Sequence, residues 1–373
     1  MDSYYIFSER NYNSSPVQGC LIEFEDVLID CLDGKLLAPK FNPNIHKFDL
    51  FGNFKNYFDV NIVSHRGISD RNILILVGCT IWTVKILDYI PSLSKNFDVI
   101  CAYVSDPFLP ADILSNWRYH KFIKLVKNLN YIFIPMTGSL EQFYETFQVP
   151  VAMVPMGCDV LKFGSYKRER FIDLMGYGRQ LSAHSQIFEQ AYNSPNSKRI
   201  YYYTSHMEIG KIHNFYEYRR LFWKLLTNSY IALAYDALIA NPANRFNFSF
   251  VAQRWFECLA AGCVIIGRKP TCPEANLLLN WNDATIEVPD DTTSLIPFVE
   301  DILADQQRLQ TISYHNYINA LNLHDWRYRI VDILNHLELT QPKSLVLNLY
   351  NLRQKFEYCA PPSPISSNID SCS

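Results

Sequence analysis

No stretch of this sequence is long and apolar enough to cross a bilayer: its most hydrophobic runs, residues 73–77 and 263–267, are strand-sized, far short of the roughly 20 residues a spanning helix needs. Residues 1–13 carry no positive n-region, apolar core or small-residue cleavage site, so the expectation is a cytoplasmic protein, in contact with membrane at most peripherally. An excess of one charge is missing too, with 34 Lys and Arg against 37 Asp and Glu. There is no basic field for nucleic acid. The ten cysteines include no C-x-x-C pair, the spacing of zinc and redox sites. They read as buried thiols of a reducing compartment, with no metal and no cofactor expected; the loose set Cys263, Cys272 and His206 is the alternative. What is present is apolar residue, 49% of 373, too much chain for one ordinary core and suited to two domains with a cleft between them.

Periodicity supports that division. Residues 72–104 read strand, amphipathic helix, strand, and the unit repeats with a helix over 115–129, a strand over 131–135, a helix over 140–147 and a strand over 149–155. Continuous apolar strands alternating with helices indicate a parallel sheet covered on both faces. Residues 20–41 alternate in a strand-like way and are expected to add pairing at the sheet edge. The segment 157–170, with its KRER run, is the expected linker. The same grammar then restarts with strands over 171–178, 199–205, 230–236 and 263–267, and helices over 184–192, 215–226 and 250–262. Leu345, Leu349, Leu352 and Phe356 form a helical stripe before a Pro- and Ser-rich end, 360–373, read as disordered. The fold class is therefore α/β, with two Rossmann-like domains facing each other across a cleft: residues 1–165, residues 166–335, and a C-terminal helix and tail over 336–373.

Ligands of such sheets sit outside the carboxyl ends of the strands. There, Gly178 permits a tight turn after a strand and Arg179 offers a donor fork for phosphate. The segment 254–267, RWFECLAAGCVIIG, places one carboxylate, Glu257, in an otherwise apolar helix. It suits the hydroxyls of a ribose, or else a salt bridge to Arg254 one turn earlier. Asp106 and His206 each follow a strand and are candidates for a general base or a substrate contact, with a helix cap as the other reading of Asp106. His324, Asp325, Trp326 and Arg327 read as structural, Asp325 as a cap and Trp326 as packing.

The pattern FE-x-LAAG-x-VIIG followed by Pro273-Glu274 resembles the donor-binding motif of GT-B glycosyltransferases, of the family-4-like and spore-maturation-like kind. VPMGCDVLKF (154–163), DLMGYGRQ (173–180) and HDWRYRIVDIL (324–334) match in the same order. The resemblance covers roughly residues 130–335. It implies a glycosyltransferase using a nucleotide diphosphate sugar as co-substrate without a metal. Glu257 would hold the ribose, Arg179 the diphosphate, and the loop at Pro273 and Glu274 would assist. Ser249 stands where the family has an earlier glutamate, and the lysine expected after Arg179 is missing, with Arg254 or Lys211 as substitutes for its charge. The acceptor is open among glycan, lipid-linked and small-molecule hydroxyls; Arg118, His120, Lys121, Lys124 and Lys127 lie on one predicted helix that suits an anionic lipid surface. Alternatives are a nucleotide-sugar epimerase of the same fold and an inactive scaffold binding a partner protein.

Overall fold

In the computed structural model, which describes residues 2–41, 58–59, 71–89, 96–204, 211–238 and 248–360, the first domain opens with β1 (Ser3–Phe7). The helix α1 follows (Gln18–Leu32). Here the structure corrects the sequence reading, because most of the alternating stretch over 20–41 is helical. Buried residues run almost all round α1, so its helical period is masked and only the local alternation of LIEFE shows. It ends at Asp33, whose left-handed backbone (φ 49°) turns its N–H back to the Ile29 carbonyl. The short β2 (Lys35–Leu37) then pairs with β1, and β3 (Lys40–Phe41) and β4 (Phe58–Asp59) form a separate antiparallel ladder.

The rest of the domain alternates as expected: β5 (Asn72–Gly78), α2 (Ile86–Tyr89), β6 (Val99–Val104), α3 (His120–Val126), β7 (Tyr131–Ile134), α4 (Leu140–Phe147) and β8 (Val151–Met153). The sheet order is β2-β1-β5-β6-β7-β8, every pairing parallel. β5 and β6 are buried almost throughout, as strands covered on both faces must be.

After α5 (Val160–Phe163) the chain enters a second parallel sheet, ordered β10-β9-β11-β12-β13. Its elements are β9 (Ile172–Tyr177), α6 (Ser182–Tyr192), β10 (Tyr201–Thr204), α7 (Phe215–Leu226), β11 (Ser229–Tyr235), α8 (Gln253–Ala260), β12 (Val264–Arg268), α9 (Pro273–Leu278), β13 (Ile286–Glu287), α10 (Leu295–Ala304) and α11 (Gln306–Leu323). The backbone then crosses back beside its outward path: the Cys158 N–H donates to the His324 carbonyl at 3.1 Å and the Trp326 N–H to the Cys158 carbonyl at 3.0 Å. Asp325 caps α12 (Trp326–His336) by accepting from the Arg327 N–H, and the Arg327 guanidinium pairs with Asp159 and Asp325, each at 2.9 Å. Trp326 packs on the first domain, stacked at 4.3 Å on Phe24 and edge-on to Tyr103. The last helix, α13 (Lys343–Cys359), lies against α1, joined by Leu345, Leu352 and a 2.7 Å hydrogen bond from the Ser344 hydroxyl to the Cys31 carbonyl. The basic residues of the α3 region, Arg118 to Lys127, are exposed. No helix among the described residues is long and apolar enough to cross a membrane.

Candidate active site between the two sheets

The carboxyl ends of both sheets meet at the domain boundary. From the first domain, β6 delivers Asp106 and β7 delivers Thr137; from the second, β9 delivers Gly178 and Arg179, α8 delivers Arg254 and Glu257, and α9 delivers Glu274. Contacts across the boundary are direct. The Thr137 hydroxyl donates to Glu274 at 2.6 Å and its N–H at 3.3 Å. Gln253 Nε2 donates to the Gly157 carbonyl at 2.8 Å. Met136 packs with Phe250 and Ala237, and Phe108 lies 5.9 Å from both Phe248 and Phe250.

Glu257 is buried on α8 and engaged by two partners. Arg219 Nη2 donates to Oε1 at 2.6 Å and the Tyr177 hydroxyl to Oε2 at 3.1 Å. Its ion pair is thus with Arg219 of α7, not with Arg254 one turn away. Arg219 also forks onto Glu23 of α1 at 2.8 Å through both Nε and Nη2, and the Trp223 indole donates to the same carboxylate at 2.8 Å. One guanidinium therefore bridges the two domains. Burial works against its charge, but Glu23 and Glu257 overcome that and hold its pKa well above the usual arginine value. Burial pushes Glu23 up while Arg219 and Trp223 pull it down. A Cβ on Gly19 would sit 2.7 Å from Arg219 Cδ, so this position of α1 has room for the guanidinium stem only as glycine.

Arg254 is half-buried, with its guanidinium 5.5 Å from the centre of the Tyr177 ring and its Nε buried without a hydrogen-bond partner. Burial lowers its pKa. Arg179 is exposed at the mouth of the cleft, next to Gly178, whose φ of 67° makes the turn. Arg179 and Asp106 approach from opposite domains closely enough for the cation to pull the carboxyl pKa down. Burial is the larger influence and leaves Asp106 above the usual carboxylate range; the Cys79 thiol donates to its Oδ2 at 3.3 Å. No helix starts at Asp106, so it is not a cap. Asp106 thus presents a half-buried carboxyl, its pKa raised by burial, toward a cation of the opposite domain.

The other sequence candidates have definite places. The Ser249 hydroxyl donates to Asp236 at 2.5 Å and accepts from the Thr271 N–H at 2.8 Å, tying the loops after β11 and β12 together. Pro273 is the first residue of α9, and Glu274 is held by Thr137. Lys211 lies before α7, and His206 lies outside the described residues. Sequence reasoning missed Glu23, Arg219, Tyr177 and Thr137. Glu23 sat in the stretch misread as a strand, and 196 residues separate it from Arg219, a distance no local pattern spans.

Residues 179–335 match the family model described as glycosyl transferase-like. No curated protein matches the chain. Among solved structures, HepE from Anabaena, in complex with UDP and glucose, aligns at 10% identity and a TM-score of 0.53, covering 91% of this chain and 99% of its own. The α,α-trehalose 6-phosphate synthase of Burkholderia multivorans aligns at 11% identity and a TM-score of 0.51, covering 91% and 97%. The N-terminal domain of trehalose-6-phosphate phosphatase from Candida albicans aligns at 10% identity and 0.54, covering 90% and 97%. Two parallel sheets facing across a cleft, the second largely within the matched segment, define the fold class: two Rossmann-like domains of the GT-B type. Within that fold, the segment that matches the glycosyl transferase-like model, residues 179–335, holds Glu257, Arg179 and Arg254.

Proposed function

We propose that the protein transfers a sugar from a nucleotide diphosphate donor, a UDP-sugar first, to an acceptor hydroxyl. The observation that carries this is Glu257. An ionised carboxylate has about four lone-pair sites, and Arg219 and Tyr177 use two, so the carboxylate is oriented and retains acceptor capacity for two ribose hydroxyls. Arg254, one turn before Glu257 on α8, and Arg179, following β9, would supply the positive charge that a departing diphosphate needs, and the reaction is proposed to run on these guanidiniums without a bound metal. Asp106 faces Arg179 from the first domain, where it would orient the acceptor hydroxyl and take its proton. The UDP bound by HepE supports the choice of nucleotide.

The test is a calorimetric screen of UDP, GDP, ADP and dTDP against the wild type, Glu257→Ala and the shape-preserving Glu257→Gln. Hydrogen bonds to a charged group contribute about 1.5–3 kcal/mol, so the variants should bind UDP about 10–100-fold more weakly. Failure of every nucleotide to bind the wild type would overturn the proposal. A UDP-sugar isomerised without acceptor would identify an epimerase instead.

A further inference from the structure

A cavity of about 430 Å³ lies between α6 and β10, the edge strand of the second sheet. Its volume falls within the roughly 300–1,000 Å³ of small-molecule sites. One wall is the helix face presenting Ser185, Gln186 and Glu189, residues three and four apart and therefore neighbours on the surface. The other is β10, where Tyr201 and Tyr203, two apart on one face, stack at 6.2 Å with 18° between their planes. Gln180 closes the end nearest the interdomain cleft.

Along this groove Gln180 Oε1 is buried without a hydrogen-bond partner. Its amide nitrogen is fixed on the Tyr177 carbonyl at 3.0 Å, which commits the amide oxygen to the other side. The Ser185 and Tyr201 hydroxyls lie side by side, and their interaction eases the upward pKa shift that burial causes on Tyr201. An orphaned buried polar group costs about 1–3 kcal/mol, and Gln180 Oε1 is left with that need beside the groove. The lining defines which ligand would fit. It holds no lysine or arginine and one carboxylate, Glu189, so an anion such as phosphate is disfavoured. The amide, hydroxyl and carboxylate groups of the lining disfavour a purely apolar occupant. Flat aromatic faces beside hydroxyl, amide and carboxylate groups fit a ring with apolar C–H faces and hydroxyls on its rim.

We infer that the groove between α6 and β10 binds a neutral oligosaccharide, holding a glycan chain beside the cleft. The site shares no residue with the Glu257 and Asp106 constellation, so it stands or falls separately from the donor reading. The experiment titrates the full chain with maltotriose, cellotriose, laminaritriose and chitotriose, and separately with UDP. At least one trisaccharide should bind saturably. Tyr203→Ala should weaken it about ten-fold and Gln186→Ala about three-fold, in the range expected for loss of one stacking or hydrogen-bonding partner, with UDP binding unchanged. Both side chains are exposed, so folding is retained and an unchanged thermal midpoint verifies it. Absence of binding by all four sugars up to millimolar concentration, or equal binding by both variants, would overturn the assignment. So would binding lost in Glu257→Ala but kept in Tyr203→Ala, which would place the sugar in the cleft.

Discussion

His324 is completely buried. Its Nε2 faces the Leu278 carbonyl at 2.9 Å and its Nδ1 the Arg329 guanidinium at 3.3 Å. These neighbours fix one neutral tautomer, with the proton on Nε2 and Nδ1 accepting. A second proton would have to sit against a cation inside the core. Burial, then Arg329, brings the pKa from 6.5 down to about 3. The unfolded chain therefore binds more protons than the native one between those values, and stability rises with pH across that window. His324 contributes fully above pH 6.5 and its contribution is lost as pH falls from there toward about 3. The limiting slope is about 1.4 kcal/mol per pH unit. Urea denaturation of the wild type and His324→Gln should show the stability difference between them shrinking on going from about pH 7 to about pH 5. A difference independent of pH would show that the imidazole takes up its proton as readily in the folded protein as in the unfolded chain. At this scale the sequence was informative where chemistry departs from its surroundings: Glu257 stood out as an acid among apolar residues, and Arg179 as a cation behind a glycine turn. It said nothing of Arg219, an arginine on an amphipathic helix like many others, whose role exists only through two carboxylates far away in the chain.

Strands with continuous apolar runs, such as β5, β11 and β12, were legible because burial on both faces leaves no polar positions to confuse the pattern. α1 was misread for a related reason, since burial on all sides removes the polar face that reveals a helix. β1 was missed because SYYIF is short and begins in a polar, aromatic stretch. Nor could periodicity show where two elements touch. In β12, Gly267 has a φ of 153°, and a Cβ there would lie 1.7 Å from the Ala234 carbonyl oxygen of β11. Strain of that backbone kind costs about 1–3 kcal/mol before any collision is counted. Gly267→Ala should therefore lose at least about 3 kcal/mol of stability, measured by chemical denaturation. A variant as stable as the wild type would mean that β11 and β12 do not approach so closely. The same position leads into the loop that ends at Pro273 and Glu274, so the strand's close pairing also sets where that loop begins.

Across the whole molecule, the Glu23–Arg219–Glu257 network couples the packing of the two domains to the orientation of Glu257, because the guanidinium that orients Glu257 is itself held by the opposite domain. Removing one member of a buried ion network leaves uncompensated charge and costs about 3–5 kcal/mol. Arg219→Met should show that loss in urea denaturation, and UDP binding should weaken with it because Glu257 loses its orientation. Unchanged stability would mean that the domains do not meet at this point. The two-domain plan itself was readable from the repeated strand and helix grammar, whereas the relative placement of the domains depends on contacts between distant residues and left no trace in periodicity.

The paired crossings at Cys158 and His324, with α13 seated on α1, make the second domain an insertion within the first. A ribosome releases α1 early, yet the helix that covers one of its faces emerges only after every strand of the second sheet has been made. The first domain is thus begun first and finished last. During synthesis its apolar flank around Leu28 and Cys31 is exposed to whatever the cell provides to shield it, until the segment carrying Leu345 and Leu352 arrives to close it.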